Sequence, residues 1–371
     1  PPVTRAFASL NVAIDAVANA SRAGTSFVFG YIGGGALPYD LKYPGKDFVL
    51  AFTALPIVLV MSTLTTLLFY WGILPPIVKG FAFALNRTMG VGGAVGLSTA
   101  ANIFVGHVEA PLFIRPYLAK LSRSELFVVM TGGMAGIAGT VLVLYAQFLK
   151  NAVPEAAGHL VIASVLGAPI AVMIGQIMVP DEQDTRTNSL EIEEPVAEST
   201  MDAIAKGATM GMQLLLNMIA MLIVFVALVA LVNVMLGGFV VFDAPLTVER
   251  MLGWIFAPIA WLIGVEWKDA DVAGWLLGVK LTLTEFVAFI DLGRIPAGEM
   301  SERTRMLMTY ALCGFANIGS VGITVTGLSV LIPERREEVL GLVWKALFAG
   351  FLATLMTAAV VGALPAAVFG Q

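Results

Sequence analysis

The chain has 371 residues, 58% of them hydrophobic and 13% charged, with a formal net charge of −5 and a mean hydropathy of +0.89. This composition excludes a soluble globular domain, and without a basic stripe interleaved with aromatics it excludes a nucleic-acid-binding one. One cysteine, Cys313, allows no internal disulfide, and two histidines, His107 and His159, are too few ligands for a typical zinc centre.

Charge-free runs at 48–78, 126–149, 156–180, 207–242, 306–333 and 346–371 can each cross a hydrocarbon core of roughly 30 Å as a helix, which takes about 20 residues. Six full spans are expected. Lipid offers the backbone no hydrogen bonds, so the chain reads as an all-α polytopic membrane protein.

In residues 1–44, Phe7, Leu10, Ile14 and Val17 share one helical face while Arg5, Asp15 and Arg22 lie elsewhere. That spacing predicts an amphipathic interfacial helix. Gly33, Gly34 and Gly35 then mark a loop; they lack the Lys-Ser/Thr pair that completes a phosphate cradle. The Pro-Pro start leads us to expect further sequence before Pro1.

The first repeat is placed at 45–180. Within it VGHVEAPLFIRPYL, Val105 to Leu118, sets His107 and Glu109 in an apolar neighbourhood. Residues 94–105 predict a helix of about 18 Å, ended by Gly106. Pro111 opens a second helix to Lys120 of about 16 Å. Neither crosses alone; together they form a re-entrant hairpin with GHVE at its tip, which is tolerated only inside protein or a water-filled cavity.

Residues 181–206 form an acidic loop: between Asp181 and Thr200, Asp181, Glu182, Asp184, Glu191, Glu193, Glu194 and Glu198 stand against Arg186 alone. This reads as a solvated connection between spans. The second repeat is placed at 207–371. GGMAGIAG (Gly132–Gly139) aligns with CGFANIGS (Cys313–Ser320), Ser122 with Ser301, and Glu109 with Glu285. Glu285 lies between short predicted helices at 272–284 and 286–293 and so marks a second hairpin tip. Each half then holds three full spans, an odd number, which inverts the second copy in the membrane. Inverted repeats with discontinuous helices are the signature of secondary transporters.

The chemistry gathers at these tips. A carboxylate at the bilayer centre costs roughly 2.5–3.5 kcal/mol, so Glu109 and Glu285 point to a shared polar cavity; the plainer alternative is a helix-capping role. Asn317 and Ser320 share a helix face, and Gly314 and Gly319 allow a break that brings Phe315 to the same ligand. An aromatic face, an amide, a hydroxyl and a carboxylate suit a heterocycle joined to a polyol, against ordinary small-residue packing. His107, between two helix ends, reads as a ligand contact or proton-sensitive group rather than a structural histidine. His159 reads as interfacial, and Cys313 and the 17 methionines as packing.

NIFVGHVEAPLFIRPYL resembles the N-I-F-V-G-Q-T-E-A/S-P-L-hydrophobic-R-P-Y-L block of the concentrative nucleoside transporters. TEFVAF (Thr284–Phe289) resembles their N-E-F-V-A segment, and TYALCGFANIGSVGI is close to the animal members. SRSELFVVMTGG and APIAWLIGVEW extend the similarity from about residue 45 onward. The resemblance implies a homotrimer of eight-span protomers in the plasma (inner) membrane, two spans preceding this chain, importing nucleosides by ion symport without enzymatic chemistry or organic cofactor. It assigns base recognition to Gly106, His107, Val108 and Glu109, ribose binding to Glu285, Asn317 and Ser320, and apolar contacts to Phe315 and Val141. Sodium would be held by Asn102, the carbonyls of Val105 and Ile137, and a hydroxyl at position 136. Here position 136 is glycine, His107 replaces a glutamine, Val108 a Thr or Ser, and Thr284 an asparagine. Sodium is the expected coupling ion and a proton the alternative. Other readings are an intramembrane hydrolase using His107 and Glu109, which has no paired nucleophile, and a channel. Lys and Arg are too evenly spread among the loops to set orientation.

Overall fold

The computed structural model describes residues 2–40, 42, 48–107, 109–181, 197–241 and 243–364, and side chains from Val12 onward. Its helices, in chain order, are α1 (Pro2–Phe29), α2 (Leu50–Thr53), α3 (Ile57–Tyr70), α4 (Leu74–Met89), α5 (Gly93–Asn102), α6 (Arg115–Leu118), α7 (Arg123–Ala135), α8 (Gly139–Leu149), α9 (Ala156–Met178), α10 (Thr200–Leu236), α11 (Val248–Leu262), α12 (Ala270–Thr282), α13 (Glu285–Arg294), α14 (Glu302–Leu312), α15 (Ile318–Leu331) and α16 (Arg336–Gly362). A two-residue antiparallel pair, β1 (Val240–Val241) with β2 (Ala244–Pro245), follows α10. The chain is an all-α membrane protein.

Helix α1 docks through buried Ile14 and half-buried Val17, and Lys150 at the end of α8 pairs with Asp15 at 2.8 Å. The side chains of Phe7 and Leu10 lie outside the described set. The glycine loop closes the end of α1: Gly34 has φ +91°, and Thr25 donates its hydroxyl to the Gly33 carbonyl at 2.8 Å.

Among the described residues, five segments are long and apolar enough to cross a membrane: Leu50–Tyr70, Arg123–Leu149, Ala156–Met178, Thr200–Leu236 and Pro333–Gly362. The run at 306–333, expected as one span, divides into α14 and α15 at Cys313–Asn317. The run at 48–78 stops crossing at Tyr70, because Gly72 (φ +72°) turns the chain and Pro75 and Pro76 start a new helix. That helix, α4, buries Leu74, Val78, Ala82 and Leu85, one stripe, and lays it along α5. The last span covers α16 rather than 346–371, with Glu337 and Glu338 in its first turn; residues 365–371 lie outside the described set. The loop acids from Glu182 to Glu194 also lie outside it, and α10 begins at Thr200, capped by Ser199.

In chain order, α3 takes the place of α10, α4 of α11, α5 of α12, α7 of α14, α8 of α15 and α9 of α16. Ser122 caps α7 in a reciprocal box with Glu125, and its counterpart Ser301 caps α14. Helix α10 lies on α3 through Gly207 and Gly211, where a Cβ would meet the Thr63 and Leu59 Cα atoms at 2.6 and 2.7 Å. The repeats interlock, since α16 packs on both α7 and α9 while α14 packs on α9.

Candidate functional site

Two broken helices meet at the centre. Helix α7 ends at Gly136, whose backbone is extended, and α8 restarts at Gly139. Helix α14 ends before Cys313, and Asn317 caps α15 by accepting the Ser320 N–H. A broken helix exposes backbone groups that need partners. One is satisfied across the repeats: the Phe315 N–H donates to the Gly136 carbonyl at 3.2 Å.

Each break faces a hairpin tip. In the first hairpin α5 stops at Asn102, three residues before the predicted Val105, and residues 103–107 turn. The second limb, predicted as one helix to Lys120, is a 3-10 turn (Ala110–Ile114) followed by the short α6. Pro111 and Pro116 account for the difference, since each removes a backbone donor. At this tip Gly106 leaves room for the Glu109 carboxylate, which a Cβ there would displace. Gly133 is required on α7, where a Cβ would meet the His107 Cβ at 2.9 Å. The His107 ring sits 5.1 Å from the Phe315 ring, and its Nε2 is buried with no hydrogen-bond partner among the described residues. Val108 lies outside the described residues.

In the second hairpin the tip falls at Leu283–Thr284, and Thr284 caps α13. Glu285, the first residue of α13, is 4% exposed. Its carboxylate accepts the Tyr145 hydroxyl at 2.8 Å and the Asn317 Nδ2 at 2.7 Å. The Asn317 Oδ1 in turn accepts the Ser320 N–H and hydroxyl at 2.9 and 3.2 Å. The structure thus joins Glu285, Asn317 and Ser320 into one chain of hydrogen bonds. Val141 is buried one turn before Tyr145 on the same face of α8.

A cavity of about 700 Å³ opens onto the first tip, lined by Val105, Gly106, Glu109, Thr140, and Ser62 and Gln213 from α3 and α10. Glu285 is not among its lining residues. Beneath the tip is a second cavity of about 10 Å³, lined by Thr99, Asn102, Gly136, Ile137 and Ser164. That is room for one water-sized particle. The Asn102 Nδ2 donates to the Gly132 carbonyl at 2.9 Å; the Asn102 Oδ1 and the Thr99 Oγ1 are buried with no partner among the described residues. Oxygen donors of this kind suit a hard cation such as sodium. Of the expected ligand set, Asn102 and Ile137 line this cavity, and Val105 lines the larger one.

Sequence reasoning missed Tyr145, Thr99 and Lys280. Tyr145 lies inside an apolar run, 140 residues from Glu285. Thr99 carries a signal that was available, its spacing of three from Asn102. Lys280 is a lone cation inside the first limb of the second hairpin. His159, read as interfacial, is half-buried, and its Nδ1 lies 2.9 Å from the hydroxyl of buried Tyr310.

A family model described as Na+ dependent nucleoside transporter C-terminus matches residues 159–362, and one described as Nucleoside recognition matches residues 51–152. An uncharacterized transporter of Haemophilus influenzae is 38% identical over 95% of this chain and 85% of its own length. The sodium/nucleoside cotransporter 1 of Rattus norvegicus is 36% identical over 97% of this chain, which spans 56% of that protein. The nucleoside permease NupC of Helicobacter pylori is 36% identical over 85% of this chain and 75% of its own. Among solved structures, CNTnw in an inward-facing substrate-bound state superimposes with a TM-score of 0.86 at 37% identity, covering 97% of this chain and 85% of that one. A CNTnw variant in an intermediate state gives 0.88 at 36%, covering 98% and 88%. The matched segments contain both hairpin tips, both helix breaks and both cavities, and the chain belongs to the concentrative nucleoside transporter family of integral membrane proteins.

Proposed function

We propose that the protein imports nucleosides across the plasma membrane by symport with sodium. One observation carries this reading: the hydrogen-bonded chain Tyr145–Glu285–Asn317–Ser320 lies beside the His107–Phe315 ring pair. A sugar brings hydroxyl donors, which the Glu285 carboxylate and the Ser320 oxygen accept, and acceptor oxygens, to which the second N–H of the Asn317 amide donates. The base lies against Phe315, with His107, Gly106 and Glu109 around its edge and Val141 on its apolar side.

Coupling follows from placement. Asn102 ends the helix whose tip carries His107 and Glu109. A sodium ion held by Asn102 and the Ile137 carbonyl would fix that tip, raising nucleoside affinity; by linkage the nucleoside raises affinity for the ion equally. The Val105 carbonyl joins the set if the tip closes. Thr99, on the same face of α5, offers the hydroxyl that Gly136 lacks. The mammalian relative is named a sodium/nucleoside cotransporter, which supports the choice of ion. Gly136 is the observation that favours the second reading, proton symport.

Residues 45–180 and the segment from Thr200 onward are the two inverted repeats, joined by the acidic connection at 181–199, with residues 1–44 as an interfacial element. The apolar exposed side of α10, including Leu216, Ile223 and Leu231, faces lipid or neighbouring protomers of a homotrimer. Uptake of uridine and adenosine into proteoliposomes, with sodium and proton gradients imposed separately, tests the reading. Accumulation driven by sodium is expected. Accumulation driven only by protons would transfer the coupling to the second reading, and no saturable uptake of either nucleoside would overturn both.

A further inference from the structure

Lys280 is 0% exposed, whereas the other buried charged groups among the described residues, Asp269, Glu125, Glu285 and Arg305, retain 4–5%. Its ammonium donates to the Ala311 carbonyl and to the Thr354 hydroxyl, each at 2.7 Å, and lies 5.5 Å from the centre of the Phe351 ring. Ala311 sits in the last turn of α14, directly before the break. The N–H four residues on, which a continuous helix would direct to Ala311, belongs to Phe315 and donates to Gly136 instead. The break frees a carbonyl, and Lys280 takes it.

The first repeat contains an analogous construction on the corresponding helices, two residues away from the aligned positions, with a different occupant. Asn102, at the end of α5, donates to the Gly132 carbonyl in the last turn of α7, again just before a break. The small cavity beside it is also lined by Ser164 of α9. Helices α5, α7 and α9 correspond to α12, α14 and α16, which carry Lys280, Ala311 and Thr354. In one repeat an amide, a freed carbonyl and a hydroxyl surround a space for one small particle. In the other, a freed carbonyl, a hydroxyl and an aromatic face surround an ammonium.

We propose that Lys280 is a tethered cation. Its ammonium fills the second-repeat counterpart of the cation pocket, supplies beside the Glu285 hairpin the positive charge that a second ion would bring, and leaves one exchangeable cation pocket, that of Asn102. The identity of the exchangeable ion rests on the sodium reading above; the role of Lys280 does not.

Lys280→Asn separates this role from simple packing, because asparagine keeps a donor near Ala311 but removes the charge and vacates space. In detergent-purified protein, calorimetry should show uridine affinity of this variant falling roughly tenfold or more at low sodium, the scale of a lost charged interaction, and recovering as sodium is raised. Equilibrium binding of radioactive sodium should rise from one ion per wild-type protomer to two per variant protomer. Lys280→Arg, which keeps the charge, should retain the wild-type sodium count. Wild-type uridine affinity in Lys280→Asn with an unchanged sodium count would overturn the proposal. If that variant does not fold, wild-type protein binding two sodium ions per protomer would overturn it, and one ion with a wild-type count in Lys280→Arg would support it. Wild-type protein that binds no sodium would overturn the coupling reading instead; a sodium requirement newly acquired by Lys280→Asn would still support the tethered cation.

Discussion

Tyr145 and Glu285 lie on opposite repeats, 140 residues apart, yet the tyrosine hydroxyl reaches the carboxylate at 2.8 Å. The contact pins the second hairpin tip to the broken helix of the first repeat. It also orients one carboxylate oxygen while Asn317 orients the other.

Glu285→Gln should therefore weaken nucleoside binding strongly without preventing assembly. Both present partners of the carboxylate are donors, so the glutamine NH₂ must face one of them. A hydrogen bond to a charged group contributes about 1.5–3 kcal/mol, which corresponds to a loss of roughly tenfold or more in affinity. Calorimetric titration of the purified variant, with gel filtration to verify assembly, makes the measurement. Wild-type affinity would remove Glu285 from the site.

Tyr145→Phe is the milder variant of the same contact. It leaves the carboxylate one donor short while preserving the ring stacked on Phe289 at 4.5 Å. Uridine affinity should fall, by less than in Glu285→Gln, with little change in thermal stability. A large loss of stability with unchanged affinity would make Tyr145 a packing residue only.

His107→Gln should change the ratio of uridine to adenosine uptake. A glutamine amide offers donor and acceptor side by side, whereas a neutral imidazole has them on opposite sides of the ring. The histidine can satisfy one base-edge atom at a time or stack with Phe315. Competition uptake with both nucleosides reads the ratio, and an unchanged ratio would place His107 outside base recognition.

Asn102→Ala and Thr99→Val should each raise the sodium concentration needed for half-maximal uptake, while leaving uridine affinity at saturating sodium near the wild-type value. Each removes an oxygen that lines the small cavity. Sodium-activation curves in proteoliposomes distinguish the two effects. Wild-type curves for both variants would place the ion elsewhere.

Gly106→Ala should disable the first tip. The added methyl group occupies the position of the Glu109 carboxylate, so that side chain, which lines the 700 Å³ cavity, must swing to another position. Uptake should fall sharply with normal expression and assembly, and transport at the wild-type rate would mean that the tip tolerates the shift.

Much of this arrangement could be read from the sequence because it is local or repeated. Glu109 and Glu285 announced the tips by their matched positions, and Gly314 announced the break in α14–α15. What could not be read depended on distant neighbours. Nothing near Tyr145 indicates that its hydroxyl meets Glu285, and nothing near Ala311 indicates that its carbonyl would need Lys280. The start of α4 was hidden for another reason: apolar character continues through Trp71–Ile73, so composition alone carries the span past the turn at Gly72. The second limb of the first hairpin was overextended because two prolines permit a helix to start without guaranteeing that it continues.

Helix α10 has a consequence for the bilayer. At 1.5 Å per residue, its charge-free stretch from Gly207 to Leu236 alone reaches about 45 Å, against a hydrocarbon thickness of about 30 Å. Its upper half exposes Ile223, Val224, Leu228, Leu231 and Val234. An apolar rod longer than its solvent must lean, thicken the surrounding lipid or shelter its excess against another subunit. Acyl-chain length thereby becomes a mechanical input to this protein, and membranes of different thickness will hold the α3–α10 pair at different inclinations to the hairpins it flanks.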